Sequence, residues 1–177
     1  AIILGTCSLR YSQEIMSLLY TELTDQSAPV FSILMLCFIP ISITYVFGTL
    51  LTANGNMREI NLMAAFGILI NITLNLILIP RFQAKGAAIA SVCTQFATAI
   101  IQVILVQYIF KFKVNYKLLT SLFVFILTVG TIGYYWVEWT NIWYLNLGLM
   151  VSCTSILAMA LNLISLKSIN NILRIED

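Results

Sequence analysis

No histidine stands anywhere in the 177 residues. Its absence removes the commonest general base, the His-based catalytic triads and the commonest transition-metal ligand. Charge is scarce too: Asp, Glu, Lys and Arg make up 9% of the chain, against about 25% in a soluble domain. The net charge of +2 is too small to indicate a nucleic-acid partner. No GxGxxG fingerprint, P-loop or nucleophile elbow occurs. The four cysteines, Cys7, Cys37, Cys93 and Cys153, each lie in an apolar run and form no CxxC pair, so they read as buried free thiols. These absences argue against a soluble enzyme, and no catalytic residue, metal or cofactor is expected.

What remains is apolar. Hydrophobic residues are 60% of the chain, and in water that much apolar surface would form patches that aggregate. The bilayer is the natural solvent. A spanning helix needs about 20 apolar residues at about 1.5 Å each. Charge-free stretches run over 26–57, 60–80, 86–110, 118–137 and 139–166, which predicts spans near 28–52, 60–79, 86–110, 118–137 and 143–165. Ahead of them, AIILGTCSL (1–9) reads as the last turns of a helix already under way, as in a fragment of a longer protein. YSQEIMSLLY (11–20) reads as a short interfacial helix, with Ile15, Leu18 and Leu19 at helical spacing. The expected architecture is therefore an all-α, polytopic transmembrane bundle of one partial and five full spans. Residues 1–27 form the first helix end and interfacial segment, 28–165 the five-span bundle, and 166–177 a polar tail. The short links TANGNMRE, RFQAK, KFKVNYK and VEWTN make successive helices antiparallel neighbours.

The basic residues sort onto two sides. Arg58, Lys111, Lys113, Lys117, Lys167 and Arg174 fall on one, and Arg10, Arg81 and Lys85 on the other. The excess predicts the first side, with the C-terminus, to be cytoplasmic. Trp136, Trp139 and Trp143 cluster with Tyr134, Tyr135 and Tyr144 around one link, as in an interfacial aromatic belt.

No charged residue falls in the middle of a span, so the segment displays no ion or proton path of the usual kind. The polar candidates are Thr44, Asn71, Thr73, Asn75, Thr94, Gln95, Thr98, Gln102 and Gln107. Asn71 and Asn75, four apart, project from one helix face. An amide turned to lipid strands its polar atoms at a cost of several kcal/mol, so this face turns to protein or water. Two readings stand: interhelical hydrogen bonds, or a hydrated cavity that takes the polar parts of a substrate. Gln95 and Gln102, seven apart on the next helix, belong to the same polar seam. Pro80 is expected to end the Asn71 helix, since it lacks an amide hydrogen and restricts Ile79. Gly86, Ala87 and Ala88 open the next helix with almost no side chain, which allows close backbone approach in a tight helical hairpin. Pro40 is expected to kink the first full span. Arg58 reads as snorkelling to headgroups; Arg10 is open between that role and a bidentate grip on phosphate.

The run NITLNLILIPRFQAKGAAIASV resembles the N-x-x-L-N-x-x-L-I-P-x-x-G-x-x-G-A-A-x-A-T signature of polysaccharide biosynthesis membrane proteins. These are the O-antigen-type oligosaccharide flippases of the MATE-like (MOP) superfamily. Asn71, Leu74, Asn75, Leu78, Ile79, Pro80, Gly86, Ala87, Ala88 and Ala90 match it. Gln83 stands where the signature has its first Gly, and Ser91 where it has Thr. The resemblance covers roughly residues 10–110, including YSQEIMSLLY and LLTANGNMREIN. It implies the C-terminal lobe of a two-lobed transporter of the bacterial inner membrane. That transporter moves undecaprenyl-pyrophosphate-linked sugars to the periplasmic leaflet by alternating access, in lipopolysaccharide assembly. The implied partners are the lipid-linked oligosaccharide, membrane lipids, and polysaccharide polymerase or glycosyltransferase machinery. In that family a basic cavity grips the pyrophosphate; Arg10 is the one candidate here, and no such role is carried over to it. A MATE-type multidrug or cation antiporter, a permease subunit of an ATP-driven transporter and a non-transporting membrane scaffold are the alternatives.

Overall fold

The computed structural model describes residues 1–20, 24–112, 115–137, 140, 142–161 and 163, and all regular structure among them is helical. The chain divides into two compact units, Ala1–Lys113 and Val114–Asp177. The first holds α1 (Ile2–Arg10), α2 (Ser12–Leu19), α3 (Thr24–Met35), α4 (Phe38–Ala53) and α5 (Met57–Phe110); the second holds α6 (Tyr116–Tyr135) and α7 (Trp143–Ala160).

Among the described residues, three stretches are long and apolar enough to cross a membrane: Thr24–Ala53, Met57–Phe110 and Trp143–Ala160. Leu119–Tyr135 is a shorter apolar helix. The exposed surface supports this solvent assignment. Leu62, Phe66, Leu69 and Leu76 line the outer face of α5 and are more than half exposed. A helix in water presents polar residues on its free face, whereas lipid accepts Leu and Phe there. Hydroxyls follow the same logic: Thr73, Thr94, Ser42 and Thr128 bond to the carbonyl four residues back in their own helix.

α1 and α2 meet at Tyr11, whose φ of −112° and ψ of 26° break the helix, as the change from spanning to interfacial pattern predicts. The kink expected from Pro40 lies at Leu36 and Cys37, between α3 and α4. Proline cannot donate to the carbonyl four residues back, here Leu36, and its ring crowds that carbonyl. The amide of Ile39 takes it instead at 3.2 Å, one residue short of α-helical spacing.

α5 is one helix only in name. Gln83, with φ 52° and ψ −128°, leaves the helical region and reverses the chain. Residues 57–82 and 84–110 then run antiparallel, each roughly 39 Å long at about 1.5 Å per residue. Three pairings place the turn: Gly86 against Leu78, Asn71 against Thr94, and Gly67 against Thr98. The hairpin agrees with the expectation, but its turn is tighter. Helix continues through Pro80 to Phe82 rather than ending at the proline. Pro80 withholds a donor only from the Leu76 carbonyl, one turn back, and the residues after it complete the last turn. Gly86 is what lets the arms close: a Cβ there would strike the Leu78 carbonyl oxygen and lie 2.6 Å from its carbon.

In the second unit, the buried positions of α7 repeat every four residues as Asn146, Met150, Thr154 and Ala158, and Phe125 and Val129 do the same on α6. Asn146 pins the link before α7. Its amide donates to the Thr140 carbonyl at 2.7 Å and accepts from the Thr140 amide and hydroxyl at 3.2 and 3.1 Å. Tyr134, Tyr135 and Tyr144 are exposed at the facing ends of α6 and α7, where the belt was expected. Trp139, Glu138 and the 166–177 tail lie outside the described residues.

Candidate functional site

α4 and the two arms of α5 enclose an open groove of about 540 Å³. Each wall is one face of a helix. Thr44, Gly48 and Thr52 come from α4 at four-residue spacing. Ile60, Met63, Ala64, Gly67, Ile68, Asn71 and Ile72 come from the first arm, and Thr94, Gln95, Thr98 and Gln102 from the second. Among the described residues, no Asp, Glu, Lys or Arg lines it.

Three of the four seam amides, Asn71, Gln95 and Gln102, thus share one groove. Asn75 does not line it. It faces a smaller depression with Ile72, Leu76, Ile79 and Pro80, and its Nδ2 donates to Asn71 Oδ1 at 2.9 Å. Asn71 Nδ2 in turn donates across the hairpin to Thr94 Oγ1 at 3.3 Å, and Thr94 Oγ1 donates to the Ala90 carbonyl at 2.8 Å. This relay orients the Asn71 amide and ties the arms together. Both sequence readings of the amide pair therefore have a physical counterpart: Asn75 supports, while Asn71 both bridges the helices and borders the groove.

Gln102 is the most enclosed of the set, 1% exposed, and its Oε1 has no hydrogen-bond partner among the described residues. Thr44 Oγ1 on the facing helix is likewise buried without a partner. Gly48 makes room for the Gln102 amide, since a Cβ there would lie 2.9 Å from Nε2. Gly67 does the same for Thr98, whose Cγ2 would lie 2.8 Å from a Cβ. Gly48, Thr52 and Gly67 escaped the sequence reading. The available signal was the Thr44–Gly48–Thr52 repeat, a small and polar stripe within an otherwise apolar helix.

The remaining candidates lie elsewhere. Pro80, Gly86, Ala87 and Ala88 shape the hairpin turn, with Gly86 and Ala88 buried. Arg10 ends α1 with its guanidinium 5.4 Å from the Tyr11 ring centroid and is not among the groove residues. Arg81 and Lys85 flank the closed end of the hairpin, and Arg58 and Lys111 its open ends. Among the described residues, no cluster of His, Cys, Asp and Glu could hold a metal ion. Compared with family models, curated proteins and solved structures, the chain gives no match.

Proposed function

We propose that the chain is part of a flippase for lipid-linked oligosaccharides, acting by alternating access in the synthesis of a cell-surface polysaccharide. One observation carries the reading. The ten residues that resemble the flippase signature form a closed hairpin whose polar side borders an uncharged groove, and whose outer side is apolar. Helix-to-helix bonding accounts for Asn71 and Asn75, but a scaffold gains nothing from the unpaired Gln102 Oε1, which costs free energy. A cation antiporter is expected to carry acidic groups within its helices, and this groove has none.

On this reading the Thr24–Ala53 stretch, the two arms of α5, α6 and α7 are five crossings, with α1 as the end of a sixth. Arg58 and Lys111 then face the cytoplasm, together with the C-terminus. The test is complementation: the intact protein is expressed in a bacterium lacking its O-antigen-type flippase, and delivery of lipid-linked oligosaccharide to the periplasmic leaflet is measured. Rescue that is lost in Asn71→Leu/Asn75→Leu at equal protein level supports the proposal. Drug resistance gained on expression, without rescue, favours the antiporter.

A further inference from the structure

Two polar atoms beside the groove have no hydrogen-bond partner among the described residues. Both are sealed from solvent: Gln102 Oε1 belongs to a side chain that is 1% exposed, and Thr44, on α4, lines the same groove. Almost every buried polar atom in a folded protein finds a partner, so two orphans beside one cavity mark a place where a partner arrives as the groove opens. The partner's chemistry follows from the lining. An anion would meet no Lys or Arg, and an organic cation no carboxylate, so a net charge entering here would be desolvated without compensation. Hydroxyls and amides of α4 and the second arm, together with Ile60, Met63, Ala64, Ile68 and Ile72 of the first, suit a group with both hydroxyls and C–H faces. The volume of about 540 Å³ falls among small-molecule sites, which run from about 300 to 1,000 Å³.

We propose that the groove between α4 and the α5 hairpin binds a neutral, hydroxyl-bearing group of the sugar or polyol class, which donates hydrogen bonds to Gln102 Oε1 and Thr44 Oγ1. The inference rests on the transport reading and sharpens it: the uncharged sugar portion of the cargo, rather than its phosphates, meets this part of the lobe. Gly48 has a defined role, keeping α4 clear of the Gln102 amide. Asn71, held by Asn75 and Thr94, provides an oriented amide further along the same wall.

The test uses the intact protein in nanodiscs and saturation-transfer difference NMR. The probes are glucose, N-acetylglucosamine and lactose at millimolar concentration, with inorganic pyrophosphate and sodium chloride as competitors. Ring-proton signals are expected from at least one sugar and are unaffected by either competitor. They are expected to weaken about fivefold in Gln102→Leu and in Thr44→Val, the loss of about one hydrogen bond in each. Thr44→Val preserves shape, so it keeps the test decisive if Gln102→Leu folds poorly. Absent sugar signals, signals unchanged in Thr44→Val, or displacement by pyrophosphate or sodium overturn the proposal. Flipping of lipid-linked oligosaccharide in proteoliposomes scores the transport reading separately. Flipping that proceeds unchanged in both variants removes the groove's role and leaves transport standing. Variant-sensitive sugar binding without flipping upholds the groove and removes the transport reading.

Discussion

Gly86→Ala is the smallest change that tests the hairpin. The new Cβ would strike the Leu78 carbonyl oxygen and lie 2.6 Å from its carbon and 3.1 Å from the Ile79 nitrogen. All three are backbone atoms of the opposite arm, so no rotamer relieves the contact. The arms must separate by close to an ångström to reach ordinary van der Waals distance. Overpacking of this kind costs about 1–3 kcal/mol. Separation also lengthens the Asn71–Thr94 bond, already 3.3 Å, past useful range, adding about 0.6 kcal/mol. Against this, Ala is favoured over Gly in a helix by about 1 kcal/mol. The net expectation is a loss of about 1–3 kcal/mol. Gly130→Ala is the control, because a Cβ there meets nothing within 4 Å. It should be neutral or stabilising by up to about 1 kcal/mol. Thermal unfolding of the intact protein in detergent or nanodiscs, followed by loss of its soluble folded fraction, gives the comparison. Equal stability of Gly86→Ala and Gly130→Ala would refute the close approach, and with it the hairpin register.

Gln83→Gly should stabilise the protein by about 1 kcal/mol in the same assay. A non-glycine residue at φ 52°, ψ −128° carries about 1–3 kcal/mol of strain, offset partly by glycine's greater unfolded-state freedom. In a double-mutant cycle of Asn71→Leu and Thr94→Val, a coupling of about 0.6–2 kcal/mol is expected. Additivity would mean the two side chains do not meet. Gly48→Ala should lower sugar binding more than it lowers stability, since the atom it crowds is the end of the Gln102 side chain rather than backbone; a stability loss alone would count against the groove. Cys7 and Cys37 are buried as expected, but Cys93 and Cys153 lie at the surface of the protein within apolar helices, so in membranes a charged methanethiosulfonate reagent should leave these two unlabelled until detergent or denaturant is added. Rapid labelling in intact membranes would contradict the lipid assignment.

The turn shows where a linear reading stops. The signature places glycine at the position of Gln83, and the chain adopts a positive φ at that position without the glycine. The left-handed turn is therefore set by the packing of the two arms, which over-determines the backbone of one residue. Pro80 is the opposite lesson. Proline chemistry predicts a helix stop, but one missing donor, to the Leu76 carbonyl, leaves the following residues free to hold helical geometry, and the helix runs on to Phe82. Pro40 acted as predicted because its target, the Leu36 carbonyl, lies where two helices join.

Composition, hydropathy and spacing alone determined that the chain is helical and rich in apolar segments compatible with a membrane, and that the Asn71 and Gln102 helices are neighbours in one hairpin. These properties are local: they depend on residues three, four and seven apart on one helix, and on the cost of exposing amides to oil. Which amides share a space was decided only in three dimensions. Asn75 turned away to support Asn71, while Gln102 found Thr44 and Gly48 of α4 opposite it, more than fifty residues distant in the chain. No pattern within one helix encodes that meeting, because it depends on the rotation and approach of α4 against the hairpin, where Gly48 makes room for the Gln102 amide.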